Sequence, residues 1–199
     1  MNNCIKRYGE IPLECKNFQK ILDFYLFQCP CETQKGSKRK GNITYSRVSV
    51  RGNTLRQCGW TGGYLKTLFS AMKDTTSKQL TYYHFPGNKD ILSEVKSIEG
   101  NSTLSDPNFE MIVIAKRSDM SLTSSIFYYI RNALAHGSFM VNGDVYSFES
   151  SKDGTIKAAI RLREKTLLKW IKDVSLSPEK LKKALQSERK TTKKGKRAA

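Results

Sequence analysis

Hydrophobic residues in this chain recur mostly at helical spacing, and the longest regular stretch runs from Leu122 to Phe139. Place it on a helix of about 100° per residue with Tyr128 at zero. Leu122, Ile126, Phe127, Tyr129, Ile130, Ala133 and Leu134 then fill one arc, from about 100° to about 260°. Ser124, Ser125, Tyr128, Arg131, Asn132, Ala135 and His136 fill the other. Gly137 follows at once, and a glycine just past the last periodic residue is the usual helix stop.

The same spacing predicts further helices. Phe18, Ile21, Leu22 and Tyr25 share a face between Pro12 and Cys29, with Pro30 ending the element. The glycines at 59, 62 and 63 turn the chain, near Thr61, into a helix striped by Leu65, Leu68, Phe69 and Met72. Lys89 to Ile98 and Lys165 to Val174 read as helices, and Pro178 suits the first turn of a last one. Period two takes over after Gly137. Phe139 and Val141, then Val145, Tyr146 and Phe148, predict a hairpin around Asn142-Gly143. Ile43 to Val50 reads as a strand, and Ile156 to Leu162 as a strand or the entry to a helix. Thr81 to Phe85 leads into a turn at Pro86-Gly87, with His84 read as a packing or surface residue. The run Met111-Ile112-Val113-Ile114-Ala115 has strand propensity, but a helical bundle would want a helix, and so short a run has no decisive period.

The polar arc of the central helix carries the candidate chemistry. Arg131 and His136 flank the arc, Asn132 is one helical turn before His136, and Ala135 offers only a methyl between them. A guanidinium suits a phosphate because its planar fork donates two parallel charge-assisted hydrogen bonds. An imidazole suits proton transfer near neutral pH.

The string Arg131-Asn132-Ala133-Leu134-Ala135-His136-Gly137 resembles the Arg-to-His signature of the HEPN domain, in which a polar residue, often Asn, follows the Arg. Ile130 and Gly137 also look like the plasmid- and prophage-encoded members. The specific match covers Leu122 to Phe139. The resemblance implies a mainly α, helical-bundle fold, here with a small β-hairpin after the motif helix. It implies a homodimer whose two motifs face each other in a composite site. It implies metal-independent RNA cleavage, in which the ribose 2′-hydroxyl attacks the adjacent phosphate and leaves a 2′,3′-cyclic phosphate. His136 would act as acid or base, Arg131 would stabilise the phosphorane, and Asn132 would orient or polarise. A role as a toxin or in anti-phage defence, with an antitoxin or regulatory partner, is implied on the same ground.

Charge adds weight to a nucleic-acid partner. The 199 residues carry 35 Lys and Arg against 18 Asp and Glu, a net charge of +17. Such a bias favours a polyanion, although lysines also serve solubility alone. Lys35, Lys38, Arg39 and Lys40 form a basic loop that could touch phosphate, and Tyr128 on the polar arc could meet a base. Residues 188–199 have no apolar face and read as a basic disordered tail, behind one domain spanning 1–187 whose N-terminal half could form a loose lobe.

Other classes find less support. No apolar run approaches 18 residues, and the N-terminus lacks a signal-peptide core, so a cytoplasmic protein without a membrane span is expected. The five cysteines, at 4, 15, 29, 31 and 58, are odd in number and contain no Cys-x-x-Cys pair. Reduced thiols are expected rather than disulfides or zinc, and neither metal nor cofactor is called for. Gly59-Trp60-Thr61-Gly62-Gly63 fits neither nucleotide-binding glycine fingerprint. The alternative to an enzyme is a non-catalytic nucleic-acid-binding or dimerisation module. Group transfer such as nucleotidyl transfer would need a glycine-rich loop or paired metal-binding carboxylates, and neither is evident.

Overall fold

The computed structural model describes residues 15–30, 54–75, 80–86, 89–101, 110–118 and 120–195. Its centre is not a helical bundle but a five-stranded mixed sheet in the order β1-β2-β5-β4-β3. The strands are β1 (Leu80–Pro86), β2 (Glu110–Lys116), β3 (Phe139–Asn142), β4 (Val145–Lys152) and β5 (Thr155–Arg163). The helices are α1 (Lys16–Leu22), continued as a π-helix over Asp23–Gln28, α2 (Gly62–Thr75), α3 (Leu92–Asn101), α4 (Leu122–Ala135), α5 (Glu164–Ser175) and α6 (Pro178–Gly195).

The bundle expectation fails at the run around Met111. Six successive residues of β2, Glu110 to Ala115, are buried, because β2 is a central strand with helices over both faces. Three consecutive β-branched residues, Ile112, Val113 and Ile114, suit that pleated setting better than a helix. β2 pairs in parallel with β1, and the crossover between them contains α3, a βαβ unit. On one side Met111, Val113 and Ala115 pack with Ile91, Val95 and Ile98. On the other, Ile112 and Ile114 join Tyr146, Phe148, Ala158, Ile160 and Leu162 in the main core beneath α1, α2, α4 and α5. Phe18, Ile21, Tyr25, Leu55 and Trp60 belong to that same core, so the described N-terminal residues share it with the rest.

β3, β4 and β5 form an antiparallel meander. The first turn is centred on Gly143-Asp144, one residue later than the Asn142-Gly143 pair suggested, with Gly143 at φ +58. The second is Asp153-Gly154, both at positive φ (52° and 75°), the two-residue loop whose twist matches the flanking strands.

α5 and α2 are tied by Trp170, whose Nε1 donates to the Met72 carbonyl at 3.0 Å inside the core. α6 begins at Pro178 as expected but continues to Gly195, through residues expected to be disordered. Once its first turns are fixed by buried Leu181, each further residue adds a hydrogen bond, and Lys and Arg are good helix formers. The predicted strand at 43–50 lies outside the described residues. No helix among the described residues is long and apolar enough to cross a membrane.

Candidate functional site

α4 is held by its apolar arc. Ile126, Phe127, Tyr129, Ile130, Ala133 and Leu134 are all buried. At about 1.5–3 kcal/mol for each large buried apolar side chain, this packing far outweighs any contact of the polar arc at about 1 kcal/mol. The polar residues are therefore not needed to form the helix. Tyr129 adds a directional tie, its hydroxyl donating to the Ala115 carbonyl of β2 at 2.5 Å.

The two ends of the helix are built differently. Ser121 is the N-cap, its Oγ accepting the Ser124 N–H at 3.1 Å and donating to the Ser124 Oγ at 2.8 Å. The Ser125 hydroxyl donates to the Ser121 carbonyl at 3.0 Å. Ser124 and Ser125, placed on the polar arc by spacing, are thus buried in the N-terminal cap and leave the site.

His136 is the C-cap. Gly137 follows at φ +65, its N–H donating to the Leu134 carbonyl at 3.2 Å, while the Ser138 N–H reaches the Ala133 carbonyl at 2.8 Å. That pair of bonds is the Schellman stop, and the left-handed residue between them favours glycine. The chain leaves the helix there, with the His136 side chain exposed to solvent.

Arg131 and Asn132 are half-buried on the same edge. The Arg131 Nε–H donates to the Leu26 carbonyl of the π-helix at 3.3 Å. Single π-turns open the backbone ladder and recur at functional positions. Beside Leu26 stands Phe27, 49% exposed and, with Tyr83 and Leu92, one of the exposed large apolar side chains among the described residues. Among the described residues, Arg131, Asn132 and His136 have no ion pair, and the side chains of Asn132 and His136 have no protein hydrogen bond. Their donors and acceptors are open to a ligand.

Tyr128, one turn before Arg131 and Asn132, is half-buried, and the Arg117 guanidinium lies over its ring at 4.5 Å from the centroid. The same ring meets Tyr129 edge-on at 5.4 Å. Spacing alone did not find Arg117 or Phe27. Arg117 directly follows the carboxyl end of β2, and a cation placed between a buried strand and the motif helix was the available signal.

The C-terminal end of α4 therefore carries a guanidinium, an amide and an imidazole, with a second guanidinium stacked on Tyr128 one turn earlier and an exposed phenylalanine next in sequence to the Leu26 that Arg131 bonds. Such a set can hold a phosphate, exchange a proton and stack on a base.

The other candidates do not join this edge. Lys35, Lys38, Arg39 and Lys40 lie outside the described residues, as do Cys4 and Cys31. Cys15, Cys29 and Cys58 are thiols rather than halves of a disulfide, with Cys29 buried and burial raising the Cys58 thiol above its usual range. Among the described residues, no three His, Cys, Asp or Glu side chains are grouped so as to hold a metal ion. His84 is exposed on β1, the edge strand. No protein-family model, curated protein or solved structure matches the chain.

Proposed function

We propose that the protein binds RNA and that the C-terminal edge of α4 is a metal-independent endoribonuclease site of the HEPN type. The observation that carries this is the placement of Arg131, Asn132 and His136. All three lie on the polar arc at the C-terminal end of a helix that its opposite face already holds, within about 140° around the axis, and none is committed to an ion pair among the described residues. The proposal stands on these residues and on the net charge of +17. It does not draw on the fold, which is not the helical bundle that the resemblance implied.

In the proposed reaction the 2′-hydroxyl loses its proton and attacks the adjacent phosphorus. The P–O2′ bond forms, the P–O5′ bond breaks, and the 5′ oxygen takes up a proton. Arg131 holds the non-bridging oxygens as their charge grows. His136 supplies one of the two proton transfers. The other comes from water or from the His136 of a second copy, which is where a homodimer with a composite site enters the proposal. A role in toxicity or defence, in a cytoplasmic setting, belongs to the same proposal.

A second reading has its own observation. Arg131 is partly engaged by the Leu26 carbonyl, as a residue with a structural task would be. In that reading the edge binds RNA and does not cut it. The deciding experiment is cleavage of RNA by the wild type and by His136→Ala in excess EDTA, with the 3′ ends identified. Cleavage that survives chelation, leaves cyclic phosphate and vanishes in the variant supports the nuclease. Salt-dependent binding by a folded wild type without cleavage supports the binding module. Equal cleavage by both proteins removes His136 from the mechanism.

A further inference from the structure

Positive charge is concentrated on α6. Between Pro178 and Gly195 stand seven lysines and arginines against only Glu179 and Glu188. The N-terminal half of the helix is anchored, with Pro178 and Leu181 buried and Leu185 packed on the main core beside α2. Lys180, Lys182 and Lys183 are exposed, and the Lys182 ammonium lies 6.0 Å from the centre of the Tyr64 ring of α2.

Beyond Leu185 there is no aliphatic or aromatic residue before Gly195. The helix thus continues for about 15 Å past its last apolar anchor, at about 1.5 Å per residue. Nothing apolar in this half gives it a core to pack on. Its charges even oppose it: Arg189 with Lys193, and Lys190 with Lys194, are like charges at i,i+4, a spacing that destabilises a helix in water. Helical register also aligns positions 183, 190 and 194 within about 40° around the axis. A basic line of this kind on a stretch without apolar residues is complementary to an extended polyanion, whose binding relieves the repulsion and releases counterions.

We propose that α6 is a docking helix for the sugar–phosphate backbone of single-stranded RNA, with Lys183, Lys190 and Lys194 as its contact line. The choice of RNA rests on the reading of the α4 edge as an RNA site. Lysine contacts to phosphate carry no sequence information, so α6 supplies affinity and the α4 edge supplies any selectivity.

The test uses the full chain and a 2′-O-methylated single strand of about a dozen nucleotides, which cannot be cleaved by 2′-hydroxyl attack. Binding is followed by anisotropy over a range of salt for the wild type, for Lys183→Gln/Lys190→Gln/Lys194→Gln, and for the corresponding triple Glu variant. Loss of three phosphate contacts should flatten the log–log salt slope by about 2 for a single strand. The Glu variant should bind more weakly than the Gln variant. An unchanged slope and affinity in both variants would overturn the proposal. A wild type that binds anionic phospholipid vesicles in preference to the strand would assign α6 to a membrane surface and overturn it equally. Because the strand is uncleavable, this outcome is independent of the nuclease reading, which is read separately from the wild-type protein on a short cleavable RNA.

Discussion

The Arg131 Nε–H donates to the Leu26 carbonyl across 105 residues of sequence, joining the motif helix to the π-helical turn at 3.3 Å. The bond uses one donor of a guanidinium that has several. Two tasks are therefore compatible in one side chain, and substitution can separate them. Arg131→Ala should cost about 1 kcal/mol of stability, the usual worth of one partly exposed hydrogen bond. Arg131→Lys keeps the charge but loses the planar fork. It should stay folded, with a melting temperature near that of the wild type, while RNA cleavage falls by about 100-fold or more. A lysine variant that cleaves at the wild-type rate would leave Arg131 only its tie to Leu26.

Gly137 fixes how the chain leaves α4, and with it the place of His136. A side chain at φ +65 is strained, so Gly137→Ala should destabilise the protein by about 1–2 kcal/mol. Because the strain falls directly after His136, cleavage measured well below the melting temperature should also fall. Gly154→Ala gives the control. It has the same kind of strain at φ +75, in the distant β4–β5 turn, and should lower stability without lowering cleavage in the folded protein. Equal activity losses in the two variants would separate Gly137 from the site.

The motif helix was legible because its information is local. An apolar arc, a serine cap and a glycine stop all lie within Ser121 to Gly137, and α4 forms between them. The first hairpin was legible for the same reason, to within one residue. The second was missed although Asp153-Gly154 is a strong hairpin pair, because the bundle expectation left Ile156 to Leu162 undecided. The sheet was not legible as a whole. Nothing near Met111 says that this run pairs in parallel with Leu80–Pro86 on one side and antiparallel with β5 on the other. Such pairings join residues far apart in sequence and have no local period. Arg117 and Phe27 were missed for the same reason, since only the fold brings them near α4. The helix that carries the candidate residues was thus legible, and its surroundings were not.

Glu149 on β4 gives a pH dependence with a definite sign. Burial raises its carboxyl above the ordinary 4.5. The folded state then holds the proton more tightly than the unfolded state does. That contribution to stability is complete below the unfolded value and is lost as pH rises through the folded one. Glu149→Gln removes the titration. The variant should melt close to the wild type at acid pH and above it at neutral pH, as read from melting temperatures over a pH series. A variant that melts lower than the wild type at neutral pH would mean that the Glu149 carboxylate has a stabilising partner.

Tyr128 and Tyr129 are adjacent, touch each other, and should respond differently to substitution. Tyr129 is buried, and its hydroxyl bonds the Ala115 carbonyl between α4 and β2. Tyr129→Phe removes that donor at a cost of about 1 kcal/mol, or about 2–4 °C for a chain of this size. RNA binding at a temperature where the variant stays folded should be unchanged. Tyr128 is half-buried beneath the Arg117 guanidinium. Tyr128→Ala gives up a cation–π contact worth about 0.5–1 kcal/mol at an exposed site, together with a flat surface on which a base can stack, worth about 1–3 kcal/mol of binding. It should therefore weaken RNA binding by about tenfold or more even at temperatures where it stays folded, while its melting temperature falls by a few degrees because the ring also packs on the main core. Binding that depends on Tyr129 and not on Tyr128 would take the RNA surface away from this edge of α4.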